Sequence, residues 1–188
     1  VARNIEYRNP IELWASAVVA VPDNLRARAQ LADALYDAGH LEQAVAQYDS
    51  ALQLDANMFL VRISLGRALG VQGRFAEEAA QYRHILAQNP EWAEVRNSLG
   101  IALEKQGDLH GAIAEYQRVV ARRPEMVSAR FNLALVLEEM GDQAGALVHY
   151  RAVGAAEPGF AEARAHLAEV LRGAEALAEA VTHYERAL

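Results

Sequence analysis

Histidine is the residue of this chain with the widest chemical range, because imidazole serves both as a metal ligand and as a proton carrier near neutral pH. The six histidines contain no pair at the four-residue spacing of a helical metal site, and His149 and His183 are expected at the surface. Adjacent carboxylates such as Glu77 and Glu78 diverge around a helix. Cysteine, phosphate-binding loops and G-x-S-x-G are absent. We therefore predict no catalytic residues, no cofactor and no metal site, and hence no enzyme.

Arginine is the second candidate for chemistry, since it recurs at a constant interval of 34 residues. The series is Arg28, Arg62, Arg96, Arg130 and Arg164. One interpretation is structural: each side chain lays its methylenes over a helical hairpin and pairs with a nearby carboxylate. The other is a cationic track for an anionic ligand. The structural interpretation is favoured, because the position belongs to a packing stripe rather than to a groove.

The same interval separates five tyrosines. They are Tyr48, Tyr82, Tyr116, Tyr150 and Tyr184, and Trp14 occupies the slot one period earlier. A fixed period of this size is typical of stacked structural repeats. We interpret the tyrosines as packing residues that hold the stack together.

Each repeat reads as two helices when Leu25 is taken as position 1. Leucines at positions 7 and 11 and a small residue at position 8 form one helical stripe, and the small residue lets a neighbouring helix approach closely. Glycine at position 15 ends the first helix, and proline commonly closes the second. Three departures stand out. Glu78 replaces a small residue, so we expect its side chain to turn outward or to meet Arg74 or Arg83. Ala56 replaces a proline, which leaves that junction free to continue as helix. Glu175 replaces a glycine, which predicts a reshaped turn.

This pattern resembles the tetratricopeptide repeat (TPR) family. The matching repeats are residues 25–58, 59–92, 93–126, 127–160 and a shortened 161–188, after a leading half repeat at residues 1–24 that has only the second helix. In that half repeat Asn9 is a suitable N-cap before Pro10. The resemblance implies an all-α, right-handed superhelical solenoid of antiparallel helix pairs. It also implies a scaffold for protein–protein interaction, with a concave groove lined by the first helices.

The predicted ligand groove combines polar, apolar and acidic side chains of the first helices. Its residues are Gln30, Asp33, Ile63, Ser64, Arg67, Asn97, Ser98, Ile101, Glu104, Phe131, Asn132, Leu135 and Glu138. The polar series suits the backbone of an extended peptide, and the carboxylates suit basic side chains. We therefore predict a protein or extended peptide as partner, partly apolar and partly basic. A groove that is merely solvated is the open alternative.

The overall charge excludes one class of partner. A net charge of −7 argues against binding to nucleic-acid phosphates, which requires a basic face. The apolar stretches near the start of the chain are too short for direct insertion into a membrane.

Two alternative functions and the compartment stay open at this point. The segment from Arg3 to Asn24 resembles the junction that precedes a soluble TPR tail in multispanning proteins related to protein O-mannosyltransferases. That resemblance implies a recruiting tail of a membrane glycosyltransferase-like protein; otherwise the chain is a bacterial TPR protein trimmed to its core. Uncapped repeat ends would permit a self-assembling structural module. The compartment is unknown: cytoplasmic, or the extracytoplasmic side of a membrane if a membrane domain precedes the chain.

Overall fold

The computed structural model describes the backbone of residues 9–187 and the side chains of residues 9–173 and 175. Within that range the chain forms α-helices and no strand, which confirms the all-α helical-repeat prediction. The helices are α1 (Pro10–Ala20), α2 (Leu25–Asp37), α3 (Leu41–Leu54), α4 (Phe59–Val71), α5 (Phe75–Gln88), α6 (Ala93–Gln106), α7 (Leu109–Arg122), α8 (Val127–Glu139), α9 (Gln143–Ala156) and α10 (Ala161–Ala187). Helices α1–α5 make one compact half and α6–α10 another, here the N-terminal half and the C-terminal half.

Helix hairpins are the building blocks of both halves. In the N-terminal half α2 packs on α3 and α4 packs on α5, while α1 packs on α2. In the C-terminal half the hairpins are α6–α7 and α8–α9, and α10 packs on α9. The first helices of successive repeats also touch, as α2 with α4 and α6 with α8. We call the accessible faces of these first helices the groove surface of each half.

The turns between paired helices depend on glycine. Gly39, Gly73, Gly107 and Gly141 have φ angles of 79°, 76°, 89° and 83°, a left-handed backbone that costs a residue with a Cβ atom about 1–2 kcal/mol. In the C-terminal half the side chains of Asp108 and Asp142 then cap α7 and α9, each accepting a hydrogen bond at 2.9 Å from a backbone N–H. The predicted helical hairpins are thus confirmed in these four repeats.

The tyrosine rings form the interior of each hairpin. Tyr48, Tyr82, Tyr116 and Tyr150 are all buried, whereas the side chain of Tyr184 lies outside the described residues. The small residue at position 8 sits against the ring: a Cβ atom added to Gly100 would lie 2.4 Å from Cε1 of Tyr116. The expected close approach of helices at this position is therefore confirmed.

The last repeat departs from the predicted hairpin. Helix α10 runs without interruption over 27 residues, past the place where a reshaped turn was expected at Gly173 and Glu175. The position that holds a left-handed glycine in the other repeats is Glu175, for which that backbone is unfavourable. Alanine, leucine and glutamate dominate the segment and favour helix, so the two expected helices form as one.

The junction at Ala56 also differs from its prediction. It does not continue as helix: α3 ends at Leu54 and α4 begins at Phe59. The side chain of Asp55 accepts a hydrogen bond from the N–H of Asn57 at 2.9 Å, and this local turn replaces the missing proline. Among the described residues, none of the helices has the length and apolar character needed to cross a bilayer.

Candidate functional site

Three members of the arginine series close junctions between repeats. Arg28, Arg62 and Arg130 each donate to the backbone carbonyl six residues earlier, at 2.7, 3.0 and 2.9 Å. The first two also donate to glutamine side chains on the second helix of their hairpin, at 3.2 and 2.7 Å. Arg96 pairs with Glu115 at 2.6 Å, and both side chains are nearly buried. These contacts support the structural interpretation over a cationic track.

The hydroxyl groups of the tyrosines reach the groove. Tyr48 donates to Asp33 at 2.6 Å, Tyr116 to Glu104 at 2.9 Å, and Tyr150 to Glu138 at 2.6 Å. Each acceptor is a half-buried carboxylate on a first helix that the sequence assigned to the groove. The tyrosines are therefore more than packing residues, since each one fixes a groove carboxylate in position.

Burial and the neighbouring carboxylates act together on these hydroxyls. Burial is the first cause that raises the pKa of Tyr48, Tyr116 and Tyr150, followed by the hydrogen bond or the charge of the carboxylate that each one contacts. The phenols consequently remain protonated at neutral pH and keep donating. The groove carboxylates are therefore hydrogen-bonded to tyrosine hydroxyls that stay protonated at neutral pH.

The repeat at residues 59–92 achieves the same contact by a different route. Glu78 on α5 is only 8% exposed and accepts from the hydroxyl of Tyr82 at 3.2 Å. It occupies the space above Gly70, where an added Cβ atom would lie 2.5 Å from Oε2 of Glu78. Glu78 therefore does not turn outward, and Arg74 pairs with Glu77 at 2.7 Å. The expected contact with Arg83 stays a prediction. The sequence contains a signal for this exchange. In this repeat position 12 is glycine and position 20 is glutamate, whereas the later repeats have Glu104 and Glu138 at position 12.

The groove of the N-terminal half contains a pocket of about 280 Å³. Its lining is Asp33, Tyr36, Asp37, Tyr48, Ser64 and Arg67. The guanidinium of Arg67 lies 5.8 Å from the ring centroid of Tyr36. Of the other predicted residues, Gln30 is exposed and donates to Asp33 at 3.2 Å, and Ile63 is half-buried. The prediction from spacing missed Tyr48 as a lining residue, because Tyr48 belongs to a second helix.

The groove of the C-terminal half includes two corrections. Asn97 is 9% exposed and accepts from Asn132 at 3.3 Å, and Phe131 is 6% exposed. The ring of Phe131 lies 4.7 Å from that of Phe160 and 5.9 Å from that of Tyr150. Asn97 and Phe131 thus support the groove from below instead of lining it. The other predicted residues are half-buried: Ser98, Ile101, Glu104, Asn132, Leu135 and Glu138.

A histidine and two carboxylates meet at α8 and α10. Nδ1 of His166 lies 3.1 Å from Oε2 of Glu138, the oxygen that also accepts from Tyr150. The His166 ring is stacked on Tyr150, with centroids 5.5 Å apart and planes at 17°. One donor atom from each of Glu138, His166 and Glu169 lies within 4.8 Å of the others. A search along single helices missed this cluster, because Glu138 and His166 are separated by 28 residues.

His149 is not the surface residue that the sequence predicts. It is half-buried on α9, and its Nδ1 atom is buried without a hydrogen-bond partner. Burial is the first cause that lowers its pKa, and the charge of Arg130 is the second. His183, one repeat later, lies outside the described side chains.

Comparison with protein families gives a match over most of the chain. The model of the tetratricopeptide repeat family matches residues 11–59, 29–93 and 97–156. No curated protein matches the sequence significantly.

Solved structures show the same architecture. YrrB, described as a TPR protein with an unusual peptide-binding site, is 25% identical, with a TM-score of 0.70 over 88% of this chain and 85% of that one. MamA from Desulfovibrio magneticus RS-1, beginning at its residue 41, is 21% identical, with a TM-score of 0.74 over 80% and 85%. A further MamA structure is 20% identical, with a TM-score of 0.74 over 81% and 89%. The matches to MamA show the fold alone.

Proposed function

Since the chain belongs to the tetratricopeptide repeat family, and is thus a scaffold for protein interaction, we propose that its first helices bind an extended, basic and partly apolar segment of a partner protein. Binding rather than catalysis is the proposed role. Support comes from YrrB, the similar TPR protein described as having a peptide-binding site. The matched proteins give no support to a glycosyltransferase tail or a self-assembling module.

One observation carries the proposal: the groove carboxylates are held in place before any ligand arrives. Asp33, Glu104 and Glu138 each accept a hydrogen bond from a buried tyrosine, at 2.6 to 2.9 Å. An acceptor that is already ordered loses less side-chain entropy when a ligand binds. Carboxylates fixed in this way are suited to lysine or arginine side chains.

The proposed ligand is partly apolar because the groove also has partly accessible apolar side chains. Ile101 and Leu135 are half-buried at position 9 of successive repeats in the C-terminal half, and Ile63 is half-buried in the N-terminal half. Each leaves part of its side chain accessible, so a ligand that covers it gains hydrophobic free energy. Basic and apolar side chains in alternation would meet both kinds of surface.

Fluorescence anisotropy with two labelled peptides of equal length tests this proposal. One peptide alternates lysine and leucine, and the other alternates glutamate and leucine; both are titrated in the presence of EDTA. We expect the lysine peptide to bind more tightly. The double variant Glu104→Gln/Glu138→Gln should weaken it about tenfold, since two partly exposed ion pairs together contribute about 1.4 kcal/mol.

The matched control is Glu42→Gln, an exposed glutamate on a second helix. It has the same change of charge outside the groove and should leave binding unchanged. Tighter binding of the glutamate peptide, or equal affinities for the double variant and this control, would refute the proposed ligand chemistry. Absence of binding to both peptides would favour a merely solvated groove.

A further inference from the structure

We propose that Glu138, His166 and Glu169 form a binding site for a divalent transition-metal ion, with one nitrogen and two oxygen ligands. Nothing in the sequence spacing or in the matched proteins assigns this site. Glu138 is common to this site and to the proposed peptide groove, but the ligand here is a metal ion, and its binding is measured without peptide.

The distances fit a common coordination sphere. Zinc binds histidine nitrogen and carboxylate oxygen at about 2.0–2.2 Å, so two ligands of a tetrahedral ion lie about 3.3 Å apart. Glu138 and His166 already have donor atoms 3.1 Å apart. The third donor, from Glu169, lies within 4.8 Å of both and belongs to an exposed side chain.

Neighbouring side chains orient two of the three ligands. Tyr150 donates to Glu138 at 2.6 Å, an outer-shell hydrogen bond of the kind that fixes a ligating carboxylate. The His166 ring is stacked on Tyr150 and makes a T-shaped contact with Phe131, with a centroid distance of 6.0 Å. These contacts keep the imidazole turned toward Glu138.

The charge of the cluster also favours a cation. Within the described side chains, Glu138 and Glu169 form no ion pair with lysine or arginine. Glu162 adds a third carboxylate near Tyr150, and Glu162, His166 and Glu169 follow one another at intervals of four and three residues on one face of α10. The imidazole nitrogen distinguishes the cluster from a purely acidic surface and selects first-row transition metals over magnesium or calcium.

The preceding repeat provides an internal comparison. The residues at the same repeat positions as Glu138, His166 and Glu169 are Glu104, Asn132 and Leu135. The earlier set keeps one carboxylate and lacks both other metal ligands. Two residue differences between these equivalent positions therefore account for the metal-binding composition.

Calorimetric titration of the untagged chain with ZnCl₂ tests the site, with Co²⁺ absorption as a second readout of nitrogen and oxygen ligation. We expect one equivalent of Zn²⁺ to bind. His166→Asn and Glu169→Gln should each weaken binding at least tenfold.

The control is His110→Asn, which removes an exposed histidine outside the cluster and should leave Zn²⁺ affinity unchanged. Glu169→Gln replaces an exposed side chain, so a loss of binding there does not reflect unfolding; circular dichroism verifies this for every variant. Unchanged Zn²⁺ affinity in His166→Asn or in Glu169→Gln would overturn the proposal, as would an equal loss in His110→Asn.

Discussion

The groove of the N-terminal half and the groove of the C-terminal half use the same repeat positions for different chemistry. Position 12 of one repeat and positions 6 and 9 of the next are Tyr36, Ser64 and Arg67 in the first case. In the second they are Glu138, His166 and Glu169. The first set lines a pocket with a guanidinium over an aromatic ring, and the second gathers an imidazole and two carboxylates.

The scaffold residues recur in both halves, whereas the groove residues differ. In both halves buried tyrosines donate to carboxylates, left-handed glycines form the turns, and arginines donate to backbone carbonyls at the junctions. The groove positions change in size, charge and hydrogen-bonding capacity from one repeat to the next. Repeat architecture permits this because each repeat contacts only its neighbours, so a groove side chain can vary without disturbing the interior.

The largest expected effect is a loss of stability when a scaffold residue, rather than a groove residue, is replaced. Tyr48→Ala and Tyr150→Ala should each lower the free energy of unfolding by about 3–5 kcal/mol, because each removes a buried aromatic ring. Arg67→Ala and Glu169→Ala, at exposed groove positions, should change it by no more than about 0.5 kcal/mol. Urea denaturation followed by circular dichroism measures all four. Comparable losses from tyrosine and groove variants would remove the distinction.

A smaller effect compares, in the two halves, the contact of an arginine with the second helix of its own hairpin. Glu115→Ala leaves Arg96 nearly buried without this carboxylate, which we expect to cost about 2–3 kcal/mol, near the lower end of the range for broken buried pairs. Gln81→Ala removes a neutral acceptor from Arg62 and should cost about 1 kcal/mol. Urea denaturation provides both values. The control is Glu125→Ala, whose partner Arg123 is exposed, and an equally large loss there would contradict the assignment.

The smallest expected effect is a pH dependence specific to the C-terminal half. Position 23 is glutamine in both repeats of the N-terminal half, as Gln47 and Gln81. In the C-terminal half it is Glu115 and then His149, and burial and the charge of Arg130 lower the pKa of His149. When the folded pKa lies below the unfolded value of 6.5, the unfolded chain binds more protons between the two values. Stability from this residue is therefore complete above pH 6.5 and is lost as the pH falls toward the folded pKa.

His149→Gln tests that dependence by installing the residue of the N-terminal half. The variant should lose less stability than the original chain when the pH is lowered from 7.5 to 5, as measured by thermal unfolding. His110→Gln, at an exposed position, should follow the original chain. If His149→Gln and the original chain lose stability in parallel, His149 is not the source of the effect.

The parts of this structure that sequence predicts are those that depend on local rules. The period locates the hairpins, because left-handed turns select glycine and packed helices select small residues. The N-cap at Asn9 follows from the same kind of rule, and its side chain accepts from the N–H of Ile11 at 3.1 Å. Periodicity failed at Glu175, because the helix propensity of the last segment outweighed the repeat pattern.

The groove contacts depend on distances between helices, which spacing along one helix does not contain. Tyr116 and Glu104 are on different helices, and their contact depends on how deeply the ring is inserted. The exchange at Gly70 and Glu78 could not be predicted from spacing either, because the Glu78 side chain fills space that a side chain at position 70 would occupy. His166 meets Glu138 only because α10 packs beside the preceding hairpin.

We infer that the repeat frame sets the place of a groove site, while three side chains set its chemistry. The most direct test of this claim is the stoichiometry of Zn²⁺ binding to the double variant Asn132→His/Leu135→Glu. With Glu104, this variant reproduces the composition of Glu138, His166 and Glu169 one repeat earlier. We predict two equivalents of bound Zn²⁺ for the variant and one for the original chain. A single equivalent in both chains would show that the corresponding positions of successive repeats are not equivalent, and would contradict the claim.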